Sequence, residues 1–530
     1  MPKILNPISP DSEVQIMGKG LILGLDVGTT ETKAILIDEC GNVISEKSRE
    51  LPLIYTREGW IEQDIEELWV ETATVIRRCV GRDSLSSLTC IAVTGQRETL
   101  CPFDKDFTPL RNAISWQDTR GWKICKRMIQ ELGYGEVYSI TGLPINTMPW
   151  ASKIAWLREN DSPAYEKTWK FVGVVDYIVW KLCGVLKIDY SNACRTMLFD
   201  LSKLKWSEKI CEYIGLDLDK VPELMPSGQI LGAITKEASE ETGLPKGMTV
   251  VYGGGDQQCN ALGVGITDPK RISCVLGTCT NIEGYSEKPP LDSKMRLQAQ
   301  LHVVPNRYLC EGGIASSGSI YKWFRDNFGE VESLFAKRTS INPYTILDTE
   351  AKSAPPGAMG LIMIPYFAGS LYPYWNSEDR GLFLGLRLGH KKEHFVRAIL
   401  EGVAYEYNRM VKDAQRVLAT NLEQIRFMGG GARSDIWPQI ITDVTGMRGM
   451  TTKCVQAGAM GAAILGSVAC GWFADVRRAA EILVKPDRVF DVNEMNHGIY
   501  LKYYDIYGRI YDRIQDLIND LSRLEEERAS

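Results

Sequence analysis

Apolar residues along this chain fall into two alternating patterns, short continuous runs and stripes spaced three or four residues apart. Leu21 to Leu25 is a compact apolar run that predicts a strand; Lys33 to Asp38 predicts its hairpin partner, and Gly41-Asn42 turns the chain into a third strand. Between Asp64 and Cys79 the spacing of Ile65, Leu68, Trp69, Ala73 and Ile76 predicts an amphipathic helix, and Ile91-Ala92-Val93 then supplies another strand. After residue 270 the alternation resumes with strands at Ile272–Leu276, Leu361–Ile364 and Ile425–Met428 and a helix from Phe395 to Met410. Strands interleaved with helices in this way predict an α/β protein.

At 530 residues the chain exceeds what one hydrophobic core supports, so two large domains with a cleft between them are expected. The boundary is placed near residues 262–270, where Leu262-Gly263-Val264-Gly265 leads through Asp268-Pro269 into the next strand. This gives a loosely packed extension over 1–20, an N-terminal domain over 21–265 and a C-terminal domain over 266–530. The first twenty residues carry Pro2, Pro7, Pro10, Asp11 and Glu13 without an apolar core, so they do not read as a signal peptide. The apolar stretch Ala457 to Ala474 is rich in Gly and Ala, which predicts a tightly packed buried helix and no membrane span.

Composition narrows the class further. Hydrophobic and charged fractions of 44% and 24% are those of an ordinary soluble protein, and a net charge of −6 offers no basic field for nucleic acid. Fourteen cysteines without a Cys-x-x-Cys pair read as reduced thiols, which predicts a cytoplasmic location. The polar run Arg523 to Ser530 reads as a frayed helix end.

Two short devices of the same kind stand about 250 residues apart: Asp26-Val27-Gly28-Thr29-Thr30 and Leu276-Gly277-Thr278-Cys279-Thr280. Each follows an apolar run, and a glycine there lets backbone N–H and hydroxyl groups approach phosphate oxygens. No Gly-x-x-x-x-Gly-Lys-Ser/Thr sequence exists, so a P-loop is excluded. Asp26, at a strand end beside such a turn, is placed to organise Mg²⁺ through its water shell, with local turn capping as the alternative. The strand Val250-Val251-Tyr252 runs into Gly253-Gly254-Gly255 and then Asp256, which reads as a helix cap or as a general base taking a proton from an attacking hydroxyl. A third glycine cluster, Gly429-Gly430-Gly431, could admit an adenine ring or serve as plain scaffolding. His390-Lys391-Lys392-Glu393-His394 spells a zinc-protease motif but is read as a charged turn.

Longer motifs carry a resemblance. Gly381 to Leu386, a seven-residue spacer, and His394 to Glu401 fit the second signature of the FGGY carbohydrate kinases at every position. Lys153 to Asn160 fits the latter half of the first signature, with Trp150 where the pattern has Pro, Ser or Thr. The resemblance runs from about residue 21 to about residue 500. It implies two actin-like, ribonuclease H-type domains with an ATP cleft between them, ATP and Mg²⁺ as cofactors, and transfer of the γ-phosphoryl group to a sugar or polyol hydroxyl. By motif, Asp26 resembles the metal-organising aspartate and Asp256 the catalytic base. Gly28, Thr29, Thr30 and Lys33 resemble the first phosphate turn, Gly277 and Thr278 the second, and Gly430, Gly431 and Asp435 the adenosine loop.

For the acceptor, Gln96-Arg97-Glu98 resembles the substrate loop of glycerol kinases, and Trp116 with Asp118 resembles the Trp-x-Asp of ketopentose kinases; Gln257 follows the base. The stretch Thr141 to Lys153 is similar in length to that of the ketopentose kinases and lacks the tyrosine of glycerol kinases. The expected substrate is a free ketopentose such as xylulose, with glycerol, another polyol or autoinducer-2 as alternatives. An actin-like ATPase or a silent sugar sensor are the readings of another class. Family members also imply a homodimer.

Overall fold

A computed structural model describes residues 20–529, with side chains through residue 524. Apart from Gly20, the expected extension over 1–20 lies outside the described residues. The strand Leu21–Val27 pairs antiparallel with Glu31–Ile37, setting Asp26 opposite Lys33, and Val43–Glu50 adds the third strand. Helix Ile65–Cys79 starts where the spacing places it, because the Asp64 carboxylate accepts from the N–H groups of Glu66 and Glu67 at 2.9 and 3.1 Å. Such a cap stabilises a helix by about 1 kcal/mol.

Two sheets organise the chain. The first runs, in spatial order, Gln229–Ala233, Thr249–Gly255, Leu88–Gly95, Leu21–Val27, Glu31–Ile37 and Val43–Glu50. The second runs Gln298–Leu301, Tyr308–Ile314, Thr280–Ser286, Arg271–Leu276, Gln424–Met428, Arg448–Thr452 and Pro486–Phe490. Both contain the same unit: a hairpin bearing a Gly-Thr turn, an antiparallel strand on one side of it and two parallel strands on the other. This repeated topology is the paired actin-like architecture expected from the motifs, with the chain crossing from one unit to the other after helix Asp256–Gly263.

One side of the first sheet packs on Ile65–Cys79 and Val174–Cys183. Its other side is covered by the helix Ala457–Ala469, which comes from the far end of the sequence. That helix is buried along its length, and Ala459, Ala462 and Ala463 pack against Ile22, Ala92 and Val251. Small side chains there allow backbone and sheet to approach closely. Among the described residues no helix is long and apolar enough to cross a membrane. The expected strand at Leu361–Ile364 is present as Ile362–Ile364, paired with Leu382–Leu384 in a separate two-stranded sheet.

Candidate active site

The two Gly-Thr turns open onto one cleft of about 410 Å³. Gly28, Thr29, Thr30 and Lys33 line it from the N-terminal side, and Gly277, Thr278, Gly429 and Gly430 from the C-terminal side. The first turn closes with Gly28 N–H donating to Glu31 at 3.1 Å and the second with Gly277 N–H donating to the Cys279 carbonyl at 3.1 Å. The second is braced from behind by the start of helix Gly318–Phe328, where Gly318 N–H donates to the Gly277 carbonyl at 3.0 Å and Ser319 N–H to the Thr278 carbonyl at 3.2 Å. The Thr29 hydroxyl is already committed. It accepts from Trp116 Nε1 at 2.7 Å and donates to Gln96 at 3.3 Å, so this side chain ties the turn to the acceptor loop.

Asp26 ends the strand ahead of the first turn with its Oδ1 buried and unpartnered. Burial raises its pKa, opposed by Lys33. The amino end of helix Ala457–Ala469 comes so close that a Cβ on Gly458 would lie 2.4 Å from Asp26 Oδ2, which is why a glycine stands there. An unpartnered buried carboxylate oxygen facing a cleft lined by phosphate-type turns fits a hydrated divalent cation, which satisfies such oxygens through its waters.

Asp256 opens helix Asp256–Gly263 and lines the same cleft, its side chain 22% exposed. Burial pushes its carboxyl up to about 7 against the pull of Arg97, whose Nε lies 3.2 Å away. Gly255 makes room for this contact, since a Cβ there would meet the Arg97 side chain at 2.8 Å. Arg97 also donates through Nη1 to Gln300 and Glu311, both at 2.9 Å. Glu311 lies on the strand Tyr308–Ile314 of the C-terminal domain. Although burial acts against ionisation, Arg97 and Arg195 hold the Glu311 carboxyl below its ordinary range. Neighbouring Glu283 is pushed well above its own by burial and by the Glu311 charge. Gln300 joins them, donating to Glu283 at 3.1 Å and to Glu311 at 2.6 Å.

On the acceptor side, Glu98 adopts a left-handed backbone with φ of 67°. Its carbonyl accepts from the buried Lys153 Nζ at 2.8 Å and its carboxylate from Arg195 Nε at 2.9 Å. A side chain in that region carries strain of about 1–3 kcal/mol and persists only where its surroundings enforce it. Burial lowers the Lys153 ammonium to about 7. Gln257 lines the cleft with Oε1 buried and unpartnered, free to accept from a substrate hydroxyl.

Several expected site residues lie elsewhere. Asp118 is fully buried, accepting from Ile61 N–H at 2.7 Å and from Arg120 Nε at 2.8 Å, so it is an internal ion-pair partner and does not line the cleft. Gln96 also stands behind the cleft, donating to the Gly28 carbonyl at 3.2 Å and to Gln63 at 2.8 Å. Gly431 packs under Leu276 and Trp437, leaving Gly429 and Gly430 as the exposed glycines of that loop. Asp435 is paired with Arg488 at 2.6 Å outside the cleft lining. Trp150 is buried among Ile154, Phe171 and Phe199, and Met148 faces the cleft instead. His390 and His394 use Nδ1 to accept from Arg387 and Lys391 backbone N–H groups.

The sequence reading missed Arg195, Glu311 and Lys153. Glu311 was visible as a lone acid in the run Leu309-Cys310-Glu311-Gly312-Gly313-Ile314, where alternation offers no solvent-facing reason for it.

Residues 21–263 match the model for the N-terminal domain of the FGGY family of carbohydrate kinases, and residues 272–470 the model for its C-terminal domain. The chain belongs to this family. The kinase is 32% identical to a xylulose kinase of Staphylococcus epidermidis over 93% of this chain and 96% of that protein. It is 31% identical to a gluconokinase of Bacillus subtilis over 85% of this chain and 88% of that one. Its structure superposes on the ligand-bound xylulose kinase of Lactobacillus acidophilus with a TM-score of 0.84 at 25% identity, over 94% of this chain and 98% of the other. It is therefore an ATP-dependent sugar kinase. The second family signature encodes scaffold: within it Arg397 donates to Glu401 at 2.7 Å and to the Ala354 carbonyl at 2.8 Å, and Glu401 accepts from Gly357 N–H at 3.0 Å.

Proposed function

We propose that this kinase phosphorylates a ketopentose of the xylulose type, with Asp256 taking the proton from the attacked hydroxyl. The observation that carries the choice of a neutral sugar is the pairing of the two cleft arginines. Arg97 is held by Glu311 and Asp256, and Arg195 by Glu98 at 2.6 Å, so neither is left over for an acceptor carboxylate such as that of gluconate. The likeness to xylulose kinases over nearly the whole chain favours the same class.

In this reading Glu98, Arg97 and Gln257 fix the acceptor hydroxyls, and Trp116 closes their far side. The backbone N–H groups after Gly28 and Gly277 hold the phosphate chain, and Gly430 leaves a flat bed for the adenosine. A Mg²⁺ ion held through water on Asp26 would offset charge on the β- and γ-phosphates. Asp256, raised to about 7, gains basicity and stands as the ionised acceptor above that pH. Drawing the two domains together excludes water and brings base and acceptor into line.

The test is a coupled ADP-release assay across xylulose, ribulose, gluconate, glycerol and erythritol. The reading expects the highest kcat/KM with a ketopentose and the lowest with gluconate. A kcat/KM for glycerol equal to or above that for both ketopentoses would replace it with the glycerol-type assignment that Gln96-Arg97-Glu98 suggests.

A further inference from the structure

Away from the catalytic cleft, a second cavity of about 190 Å³ lies beneath the linker between the domains. It is lined by Gly265 and Thr267 of the linker, Arg271 and Arg426 of the C-terminal sheet, and Glu481 and Val484 at the end of helix Val476–Leu483. Arg271 and Arg426 stand on neighbouring parallel strands, with Ser273 in register with Arg426. Alternation along the strand puts residues 271 and 273 on one face, so the two guanidinium groups share it.

Neither arginine is neutralised. Among the described residues neither forms an ion pair; Arg271 Nη1 donates to the Gly265 carbonyl at 3.2 Å, and Arg426 Nη1 reaches only the Met450 sulfur at 2.9 Å. Arg426 Nε is buried without a partner. Glu481, the one acid on the rim, is occupied with Arg477 and Arg478 at 3.5 and 3.4 Å. Burial, and then the Arg271 charge, lowers the Arg426 guanidinium to about 10. Two like charges packed side by side with unused donors are costly unless an anion resolves them.

We propose that this cavity binds a phosphate dianion, either free or carried by a phosphomonoester. Guanidinium groups match phosphate oxygens in pairs, and the Thr267 hydroxyl stands on the linker side of the cavity. None of the lining residues belongs to the catalytic cleft. Arg271 begins the strand whose other end carries the second phosphate turn, about 17 Å away at 3.3 Å per residue. The bound anion joins the C-terminal sheet to the linker and to helix Val476–Leu483, which packs on Ala457–Ala469 and through it on the N-terminal sheet. The site thus lies at the linker between the two domains and does not depend on the identity of the acceptor.

The test uses the full-length kinase with its nucleotide site filled by a non-hydrolysable ATP analogue and Mg²⁺. Inorganic phosphate and, separately, glycerol phosphate are titrated by calorimetry into wild type, Arg426→Met and Arg271→Met. Wild type binds one equivalent, the tighter ligand naming the source, and each variant loses at least about tenfold in affinity, or 1.4 kcal/mol. In phosphate-free buffer both variants keep their turnover and melt no lower than wild type, because a like-charge contact has been removed; added phosphate raises the melting temperature of wild type alone. Equal binding by wild type and variants, no binding at millimolar phosphate, or variants that melt lower by the same margin with and without phosphate would each overturn the proposal. The last result would make the arginines packing residues that lend only their aliphatic stems.

Discussion

Arg97 Nε lies 3.2 Å from the Asp256 carboxylate while the same guanidinium holds Glu311 on the opposite domain at 2.9 Å. The candidate base is thereby linked through one side chain to a strand of the C-terminal domain. The same buried cation opposes the effect of burial on the Asp256 carboxyl.

Asp256→Asn keeps the shape of the site and removes the proton acceptor. Turnover is expected to fall by about 10²–10⁴, the usual contribution of a positioned base. Affinity for an ATP analogue should be unchanged, because the phosphate turns are not touched. Wild-type turnover in the folded variant would remove Asp256 from the mechanism.

The pH profile follows from the raised carboxyl. The base works ionised, so kcat/KM is expected to rise with pH through about 7, where Asp256 gives up its proton. Arg97→Gln takes away the cation that favours ionisation and shifts that limb to higher pH. Glu311→Gln takes away a competing carboxylate and shifts it to lower pH. Limbs that stay in place in both variants would mean that another group sets the profile.

Glu311→Gln also tests the energetic weight of the network. It strips a buried carboxylate from Arg97 and Arg195, and losing one partner of a buried pair costs about 3–5 kcal/mol. Urea unfolding measures the loss. A value below about 1 kcal/mol, the range of an exposed pair, would show that solvent already screens the cluster.

Gly458→Ala places a methyl group 2.4 Å from Asp26 Oδ2 by the present backbone. Something must shift, and the expected result is a KM for Mg·ATP raised at least about tenfold with the acceptor KM unchanged. Steady-state kinetics at varied Mg²⁺ reads this directly. An unchanged Mg²⁺ dependence would detach Asp26 from the cation.

What the sequence revealed and concealed divides along the range of the contacts. Local devices were legible: the two Gly-Thr hairpins, the Gly253–Gly255 approach to Asp256 and the buried small-residue helix after Ala457 all follow from nearest-neighbour patterning. Asp118 misled because a Trp-x-Asp spacing cannot show that Arg120, two residues on, folds back to take both carboxylate oxygens. Arg195 and Glu311 escaped because their partners lie 97 and 214 residues away. No periodicity reports pairings so distant along the chain, the second of them made only where the two domains meet.

The Ala457–Ala469 helix roofs a sheet whose first strand is Leu21–Val27. During synthesis the amino-terminal half leaves the ribosome with one apolar face bare, and that face stays bare until nearly the entire polypeptide has been made. The halves are therefore not separable modules. A gene cut at the linker would yield two fragments that must find each other before either could finish folding.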